Sequence, residues 1–297
     1  MKKRLLITGG SGFVGGHLLL QAQPRYEIHA THLNHELASK GAIGHKIDLA
    51  NAKQLEQLLA AIKPDVIIHT AAISQPDMCE QDQKRTHLVN VVTTEILARW
   101  SAEHGKRLIF TSTDMVFDGQ RGMYAESDPP SPISAYARSK VAAEKVLQQY
   151  HQNWVIARVA LVYGLGLLHP TSFFEKMLLD LKAGKTVTLF YDQYRSPILV
   201  NNLATALLEL AEHHFVGIIH LGGTERISRW EFGLKVCEIF QLPNQNLVKK
   251  SMDDFPAIAP RPRDISFVCE LAQRTLKTRL FNCSEGLNAI KNTLPTL

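Results

Sequence analysis

The sequence of 297 residues predicts an α/β fold, in which a doubly wound parallel sheet is followed by a smaller C-terminal α+β lobe. Short runs of β-type composition alternate with helical segments over the first half of the chain. This alternation is typical of parallel strands joined by right-handed crossovers. Several runs are almost continuously apolar, as expected of strands that helices cover on both faces. A glycine-rich turn directly after the first run completes the pattern.

The expected elements follow from the spacing of the apolar residues. Apolar runs predict strands at residues 4–8, 27–32, 46–49, 65–70, 107–112 and 154–162. Amphipathic spacing predicts helices between them at residues 51–62, 84–104 and 135–151. At the start of the first of these helices, Asn51 and Gln54 fit an N-terminal capping box.

The regular alternation of strands and helices ends after Gly164. Helices are predicted at residues 171–183, 201–214 and 228–241, with short strands at 186–189 and 217–221 and a proline-rich loop at 255–263. We therefore expect a large α/β domain over residues 1–164 and a smaller α+β lobe over residues 165–297. The chain is expected to cross between these two parts.

Charge and hydropathy exclude several classes of protein. The formal net charge is +5, from 33 Lys and Arg against 28 Asp and Glu, and the basic residues form no stripe, so nucleic-acid binding is not expected. No apolar run approaches the roughly 20 residues that span a bilayer, so no membrane segment is expected. The basic start is followed by too short an apolar run for a signal peptide.

The four cysteines, Cys79, Cys237, Cys269 and Cys283, are far apart and form no CxxC pattern. They are expected to be reduced thiols of a cytoplasmic protein rather than a disulfide framework or a zinc site.

The glycine-rich turn ITGGSGFVGG predicts a dinucleotide site. Gly9, Gly12 and Gly15 give a G-x-x-G-x-x-G pattern between a strand and a helix. Glycine permits a tight turn there and a close approach of the backbone to a pyrophosphate, which the helix N-terminus then binds. The first part of the chain is therefore expected to be an NAD(P)-binding Rossmann domain. The candidate cofactor contacts in the turn are Gly9, Ser11, Gly12, Phe13 and Val14.

The end of the second predicted strand bears on the choice of cofactor. NAD-binding proteins of this type use an acid there to hold the ribose 2′-hydroxyl. This chain has no carboxylate before Glu36, whereas His32 and Asn34 could face a 2′-phosphate and Lys40 lies nearby. NADP(H) is therefore expected in preference to NAD(H), which remains the alternative.

Two further features of this region have competing interpretations. His29, His32 and His35 are not expected to bind a metal, because a separation of three residues on a strand places the first two on opposite faces. Asp48 and Leu49, which end the third predicted strand, could receive the adenine, or Asp48 could simply cap a turn.

Tyr136 and Lys140 lie four residues apart at the start of a predicted helix, and so share one face. A free tyrosine has a pKa of about 10 and is a poor acid or base at neutral pH unless its anion is stabilised. The ammonium group of Lys140 would lower the pKa of Tyr136 and could also hold the ribose hydroxyls of a nicotinamide nucleotide.

A cluster of polar side chains follows the fifth predicted strand, in the stretch FTSTDMVFDG. Thr111, Ser112 and Thr113 are followed by Asp114. In an open parallel sheet, ligands bind beyond the carboxyl ends of the strands, so this cluster is expected to face a ligand.

Taken together, TGGSGFVG, TSTDMVFDG and YARSK resemble the extended short-chain dehydrogenase/reductases, and most closely their dTDP-4-dehydrorhamnose reductase branch. HTAAISQPDMCE, RVALVYG, DQYRSPILVNNLA and RPRDISF are also similar to that branch. The resemblance covers most of the chain. It implies a sugar-nucleotide ketoreductase that uses NADPH, with the C-terminal part as the substrate-binding lobe.

The resemblance also implies roles for individual residues. Tyr136 would donate a proton to the carbonyl oxygen of a sugar ketone, Thr113 would hydrogen-bond the same oxygen, and Lys140 would tune Tyr136. The remaining implied contacts are Ala71 and Ala72 with the cofactor, and Ser74, Asp114 and Leu161 with the substrate. Met115 replaces a tyrosine of the branch, and Leu161 replaces a tryptophan beside the sugar, so the identity of the sugar stays open.

Two other functions are compatible with these motifs. One is an NADP-binding regulatory subunit like the β subunit of methionine adenosyltransferase, which resembles the same branch. The other is a sugar-nucleotide epimerase. Dehydration is less favoured, because Met115 stands where a dehydratase has a second acid. A monomer or a homodimer is expected, the latter pairing through the helices at residues 84–104 and 135–151, and no metal is required.

Overall fold

The computed structural model describes residues 2–23, 25–150, 152–168, 172–255 and 257–294. Its strands are β1 (Lys3–Thr8), β2 (Tyr26–His32), β3 (Ile43–Lys46), β4 (Val66–His69), β5 (Arg107–Thr113), β6 (Trp154–Val159), β7 (Val162–Tyr163), β8 (Val187–Phe190), β9 (Tyr194–Arg195), β10 (Ile198–Leu199), β11 (Gly217–Leu221), β12 (Ile227–Ser228) and β13 (Leu247–Lys250). Its α-helices are α1 (Phe13–Ala22), α2 (Ala52–Ile62), α3 (Pro76–Gln81), α4 (Gln83–His87), α5 (Thr93–Glu103), α6 (Ala135–Tyr150), α7 (Phe173–Lys182), α8 (Val200–Glu212), α9 (Arg229–Phe240), α10 (Glu270–Thr275) and α11 (Cys283–Thr293).

A seven-stranded sheet organises the first lobe, with the strand order β11-β6-β5-β4-β1-β2-β3. Every neighbouring pair in this sheet is parallel. The order reverses at β1, with β2 and β3 on one side and β4, β5 and β6 on the other. The predicted doubly wound parallel sheet is therefore confirmed, and ligands of such sheets bind at this reversal.

The apolar runs of the central strands are explained by burial on both faces. Leu5 and Ile7 of β1 pack into one core, and Leu6 packs into a second core on the opposite face. The same alternation holds in β5, where Ile109 joins the first core and Phe110 the second. Because each face meets helices, polar side chains are confined to the ends of the strands.

A third core defines the second lobe, and the chain enters it more than once. Its members come from separate parts of the sequence: Tyr163, Phe174, Leu178, Leu189, Phe232, Leu247 and Leu287. Between these visits the chain returns to the first lobe, where β11 pairs with β6 and α8 packs against α1. The chain thus crosses between the two lobes, and the division of the chain at Gly164 stays a prediction.

Some predicted boundaries were wrong. The third strand is β3 (Ile43–Lys46), not residues 46–49, because an edge strand with mostly exposed side chains carries no apolar run. The buried Ile47 and Leu49 that suggested a strand instead belong to the connection after it. The predicted strand at 154–162 divides into β6 and β7, and the predicted helix at 84–104 contains a π-helical turn, Leu88–Val92, between α4 and α5.

The outer residues of two predicted helices, His151 and Thr171, lie outside the described residues, as does Pro256 in the proline-rich loop. Asn51 accepts a hydrogen bond from the backbone N–H of Gln54 at 3.2 Å, but its own backbone N–H donates to the carbonyl oxygen of Asp48, so α2 has an N-cap and not the expected capping box. The four cysteines are free and buried. Within the described ranges, no helix is both long enough and apolar enough to cross a membrane.

Candidate functional site

A cleft of about 730 Å³ opens at the carboxyl ends of the parallel strands. Lys40 is not among its lining residues, but the cleft brings together the other residues that the sequence nominated: Gly9, Ser11, Gly12, Phe13, Val14, His32, Asn34, Asp48, Leu49, Ala71, Ala72, Ser74, Thr113, Asp114, Tyr136, Lys140 and Leu161. Their individual roles stay predictions. What the fold adds is that a glycine turn, a tyrosine–lysine pair and a strand-end threonine share one cavity.

The glycine turn is built for close backbone contact. Gly9 has a φ of +73°, and a Cβ atom there would lie 2.9 Å from the backbone of Ala71. A Cβ atom on Gly15 would lie 2.1 Å from the carbonyl oxygen of Gly9. Gly12 is the N-cap of α1 and has no side chain to cap it. The first-turn N–H groups of α1 therefore suit a pyrophosphate, and a dinucleotide fits this end of the cleft.

The end of β2 and the connection after β3 line the far side of the cleft. His32 contacts the carbonyl oxygen of His35 through Nδ1 at 3.0 Å. Asp48 accepts two hydrogen bonds from Arg85 Nη2, at 2.7 and 2.8 Å, and a third from the N–H of Ala50. Asp48 thus caps a turn and also lines the cleft, so both interpretations of this residue remain compatible with its position.

His29 and His32 have different surroundings. His29 stacks on His45 with ring centres 5.3 Å apart, whereas His32 faces the cleft. Within the part of the chain that the structure describes, no group of three or more His, Cys, Asp or Glu side chains is arranged to hold a metal ion.

Thr113, Tyr136 and Lys140 form the buried centre of the cleft. Thr113 ends β5, and the other two residues lie one turn apart near the start of α6. Their exposed fractions are 6%, 9% and 2%. Thr113 Oγ1 accepts a hydrogen bond from the N–H of Met115 at 3.2 Å and donates one to Asp114 Oδ1 at 3.1 Å.

The electrostatics of this centre differ from the expectation in one respect. Burial lowers the pKa of Lys140 to about 7, although the Glu144 carboxylate opposes the shift. Burial raises the pKa of Tyr136, and a hydrogen bond with Thr113 only partly offsets it. The prediction that Tyr136 has a lowered pKa is therefore wrong for this structure, because desolvation of the phenolate outweighs the nearby polar groups.

A buried ion pair anchors the helix that carries Tyr136 and Lys140. Glu144, one turn after Lys140, accepts hydrogen bonds from Arg158 at 2.8 and 3.0 Å and from Ser112 at 2.5 Å. Glu144 and Arg158 are almost inaccessible to solvent. Because these bonds join α6 to β5 and β6, they fix the helix that carries Tyr136 and Lys140.

A second cavity of about 950 Å³ adjoins the cleft and shares Asp114, Met115 and Leu161 with it. Burial lowers the pKa of Arg229 to about 9, which leaves its guanidinium protonated at neutral pH. Three more arginines and two aromatic side chains also line this cavity: Arg195, Arg261, Arg263, Phe190 and Phe255.

Two of these arginines have unused donors. Arg229 Nη1 and Arg261 Nη1 are buried and have no hydrogen-bond partner among the described residues. Leaving a buried charged donor unpaired is costly, so such atoms mark a place for an anionic ligand. Arginine side chains commonly bind the oxygens of phosphate and carboxylate groups.

Sequence reasoning missed the arginines as site residues. Arg85 lies in none of the motifs, and Arg195 and Arg261 lie in DQYRSPILVNNLA and RPRDISF, where the resemblance implies no role for them. Their positive charge alone did not distinguish them from the other basic residues. Only the fold brings β9, α9 and the loop near residue 261 to one cavity.

Comparisons with known proteins agree with this geometry. The family model described as the RmlD substrate binding domain matches residues 2–295. The chain is 29% identical over 296 residues to methionine adenosyltransferase 2 subunit beta of Xenopus laevis, covering 92% of this chain and 82% of that protein. It is 28% identical over 275 residues to dTDP-4-dehydrorhamnose reductase of Aggregatibacter actinomycetemcomitans, covering 87% and 88%.

A solved structure extends the likeness to the whole fold. The crystal structure of dTDP-4-dehydrorhamnose reductase from Bacillus anthracis in complex with NADP superposes with a TM-score of 0.88 at 27% identity. The match covers 99% of this chain and 100% of that one.

Proposed function

The chain belongs to the RmlD substrate binding domain family, and we propose that it is an NADPH-dependent reductase of a keto-sugar nucleotide. The observation that carries the proposal is the placement of Thr113, Tyr136 and Lys140 in the same cleft as the glycine turn. A dinucleotide bound along that turn passes Ala71 and Ala72 and reaches the tyrosine. The cavity beyond then receives the second reactant.

In the proposed reaction, bound NADPH supplies the hydride for the carbonyl carbon of the sugar. Tyr136 donates its proton to the carbonyl oxygen as negative charge develops there. Tyr136 is protonated at neutral pH, but burial makes it a weaker acid by raising its pKa, so the transfer depends on groups that stabilise the phenolate. Thr113 hydrogen-bonds the same oxygen, and the ammonium of Lys140 stabilises the phenolate that remains.

The substrate class follows from the adjoining cavity. Arg229 and Arg261 would bind the diphosphate of a nucleoside-diphosphate sugar through their unused N–H groups. Phe190 and Phe255, in edge-to-face contact with ring centres 5.7 Å apart, offer an aromatic wall for the base. The sugar would lie between these groups and Tyr136, against the aliphatic side chains of Met115 and Leu161.

The cofactor preference rests on the absence of an acid at the end of β2. The lining there consists of Thr31, His32, Leu33, Asn34 and His35, none of which would repel a 2′-phosphate. The similar protein from Bacillus anthracis was solved with NADP. We infer that NADP(H) is preferred and that NAD(H) binds more weakly.

The test is direct. Purified protein with NADPH and a dTDP-4-keto-6-deoxy sugar should oxidise NADPH in a one-to-one ratio with reduced sugar, followed by absorbance and by mass spectrometry. Tight NADPH binding without consumption by any keto-sugar nucleotide would sink the reductase proposal. Interconversion of sugars without net loss of NADPH would instead identify an epimerase.

The likeness to methionine adenosyltransferase 2 subunit beta keeps a second candidate, a cofactor-binding regulatory subunit. Such a subunit has no need of a proton donor. The buried pair of Tyr136 and Lys140 therefore supports the enzyme over the regulatory subunit. A protein that binds NADPH, consumes none, and alters the activity of a methionine adenosyltransferase would reverse this order.

A further inference from the structure

Glu144 is a buried carboxylate on α6, with 3% of the residue exposed. Its Oε1 atom accepts hydrogen bonds from the Ser112 hydroxyl at 2.5 Å and from Arg158 Nε at 3.0 Å. Its Oε2 atom accepts one from Arg158 Nη2 at 2.8 Å. Hydrogen bonds of this kind favour the ionised carboxylate. Glu144 is therefore a fixed negative charge in the interior of the first lobe.

This charge lies one helical turn from Lys140. Residues four apart on a helix have Cβ atoms about 5–6 Å apart, so the carboxylate acts on the Lys140 ammonium through space. The ion pair that Glu144 forms is with Arg158 and not with Lys140, whose ammonium lies against the ring of Phe110. Burial lowers the pKa of Lys140 to about 7, and the charge of Glu144 opposes this shift.

The other titratable groups near Lys140 do not replace Glu144 in this respect. Burial lowers the pKa of His69 on β4 to about 3, so its ring is neutral. Burial raises the pKa of Tyr136, so the phenol is also neutral, and the carboxylate of Asp114 acts on that phenol. Among the described residues, Glu144 is thus the one group whose charge favours the Lys140 ammonium.

We propose that Glu144 is a positioning residue for the reduction, which holds Lys140 in its ammonium form when the reactants bind. Arg158 and Ser112 fix the carboxylate for this task. An ammonium at Lys140 stabilises the phenolate that Tyr136 becomes, whereas a neutral amine does not. Glu144 acts only through Lys140. This inference rests on the proposed reductase function and adds a charge on which that function depends.

The experiment separates the charge of Glu144 from its packing. Glu144→Gln keeps the shape of the side chain and removes its charge, whereas Glu144→Asp keeps the charge and shortens the side chain. With NADPH in excess, kcat/KM for dTDP-4-keto-6-deoxyglucose is measured from about pH 5 to about pH 9. In Glu144→Gln the midpoint of the alkaline decline should move lower by about one to two pH units, because an opposite charge nearby favours the ammonium. In Glu144→Asp it should stay within about half a pH unit of the wild type.

A second readout does not depend on turnover. In protein labelled with ¹³C at lysine, the Cε resonance of Lys140, identified by its loss in Lys140→Arg, reports the ionisation directly. Its midpoint should move in the same direction in Glu144→Gln and stay in place in Glu144→Asp. Glu225→Gln is the control, because it also loses an ion pair, with Lys235 at 3.2 Å, but lines neither cavity. Both midpoints should be unchanged in that variant.

The outcomes separate this inference from the proposed function. An active wild type whose midpoints do not move in a folded Glu144→Gln protein overturns this inference alone, and so does an equal displacement in Glu144→Gln and Glu144→Asp. Loss of Glu144 alone leaves Arg158 unpaired and can prevent folding. In that case Glu144→Gln combined with Arg158→Met decides, and a wild-type midpoint in this double variant overturns the inference. A wild-type protein that reduces no keto-sugar nucleotide overturns the proposed function and, with it, the role of Glu144 in the reaction.

Discussion

The ammonium of Lys140 lies 4.0 Å from the centre of the Phe110 ring. Phe110 is fully buried in the middle of β5, the strand that ends in Thr113. The ring face attracts the cation, but less strongly than the water that burial has removed. The same contact helps to fix the Lys140 side chain in the cleft. Lys140 is thus positioned by packing and is close to losing its charge at neutral pH.

This position predicts a decline of activity on the alkaline side. With a pKa of about 7, Lys140 carries its proton below pH 7 and loses it above. The kcat/KM of keto-sugar reduction should fall by about tenfold for each pH unit well above pH 7, since this ratio reports the ionisations of the free protein. Lys140→Arg should remove the decline from whatever activity it retains, and Lys145→Met, exposed on the same helix, should not change it. A flat wild-type profile above pH 7 would contradict this assignment.

Removal of the Tyr136 hydroxyl should stop the reaction but not cofactor binding. Tyr136→Phe is expected to lower kcat by at least about 100-fold, the usual contribution of a positioned general acid. The dissociation constant of NADPH, measured by fluorescence titration, should change less than about threefold, because the ring remains. Tyr163→Phe also removes a buried phenol, but that residue lies outside the cleft and the variant should keep its activity. A Tyr136→Phe protein with more than a tenth of wild-type turnover would contradict the role.

Arg229 should matter for the sugar nucleotide and not for the cofactor. Arg229→Leu removes a charged N–H group that has no partner among the described residues, and should raise KM for the nucleotide sugar by about 10- to 100-fold. The affinity for NADPH should be unchanged, because Arg229 lines only the second cavity. Arg274→Gln, on the exposed side of α10, is the matched control for loss of an arginine. Equal losses of NADPH and sugar-nucleotide affinity in Arg229→Leu would refute this division of the site.

Variants at His32 and at Asp48 should differ in their effects on the binding of NADPH and NADH. His32→Ala is expected to weaken the binding of NADPH by about three- to tenfold and to leave that of NADH unaffected, because only NADPH carries the 2′-phosphate that the imidazole would contact. Asp48→Ala should weaken both cofactors equally, because the adenine is common to them. Isothermal titration with both cofactors and both variants gives the four constants. An equal effect of His32→Ala on NADPH and NADH would place the 2′-phosphate elsewhere.

The sequence predicts the fold best where a strand is buried on both faces, because such a strand is almost wholly apolar. Strands β4 and β5 lie inside the sheet, so both of their faces are apolar and the runs are unmistakable. Strand β3 lies at the edge with mostly exposed side chains, and its composition resembles that of a loop. Its boundaries depend on pairing with β2, which is a tertiary relationship.

The residues of the site also differ in how well the sequence predicts them. The glycine turn and the pair Tyr136 and Lys140 are contiguous in sequence, because one turn or one helix face performs each task. Arg85 and Arg229 come from distant segments and enter the site only through the packing of α4 and α9. The direction of the Tyr136 pKa was also beyond reach, because it depends on how deeply the ring is buried.

The alternation of the chain between two cores has a consequence for the molecule as a whole. Ile219 and Phe267 complete the core beneath the cofactor cleft, although both lie far beyond Gly164 in sequence. A fragment ending at Gly164 would lack β11 and α8, leaving β6 as an open edge and α1 without its neighbour. The first lobe is therefore incomplete without segments that follow Gly164. The chain passes back and forth between the two lobes, so the cavity that both lobes line forms only from segments that lie far apart in the sequence.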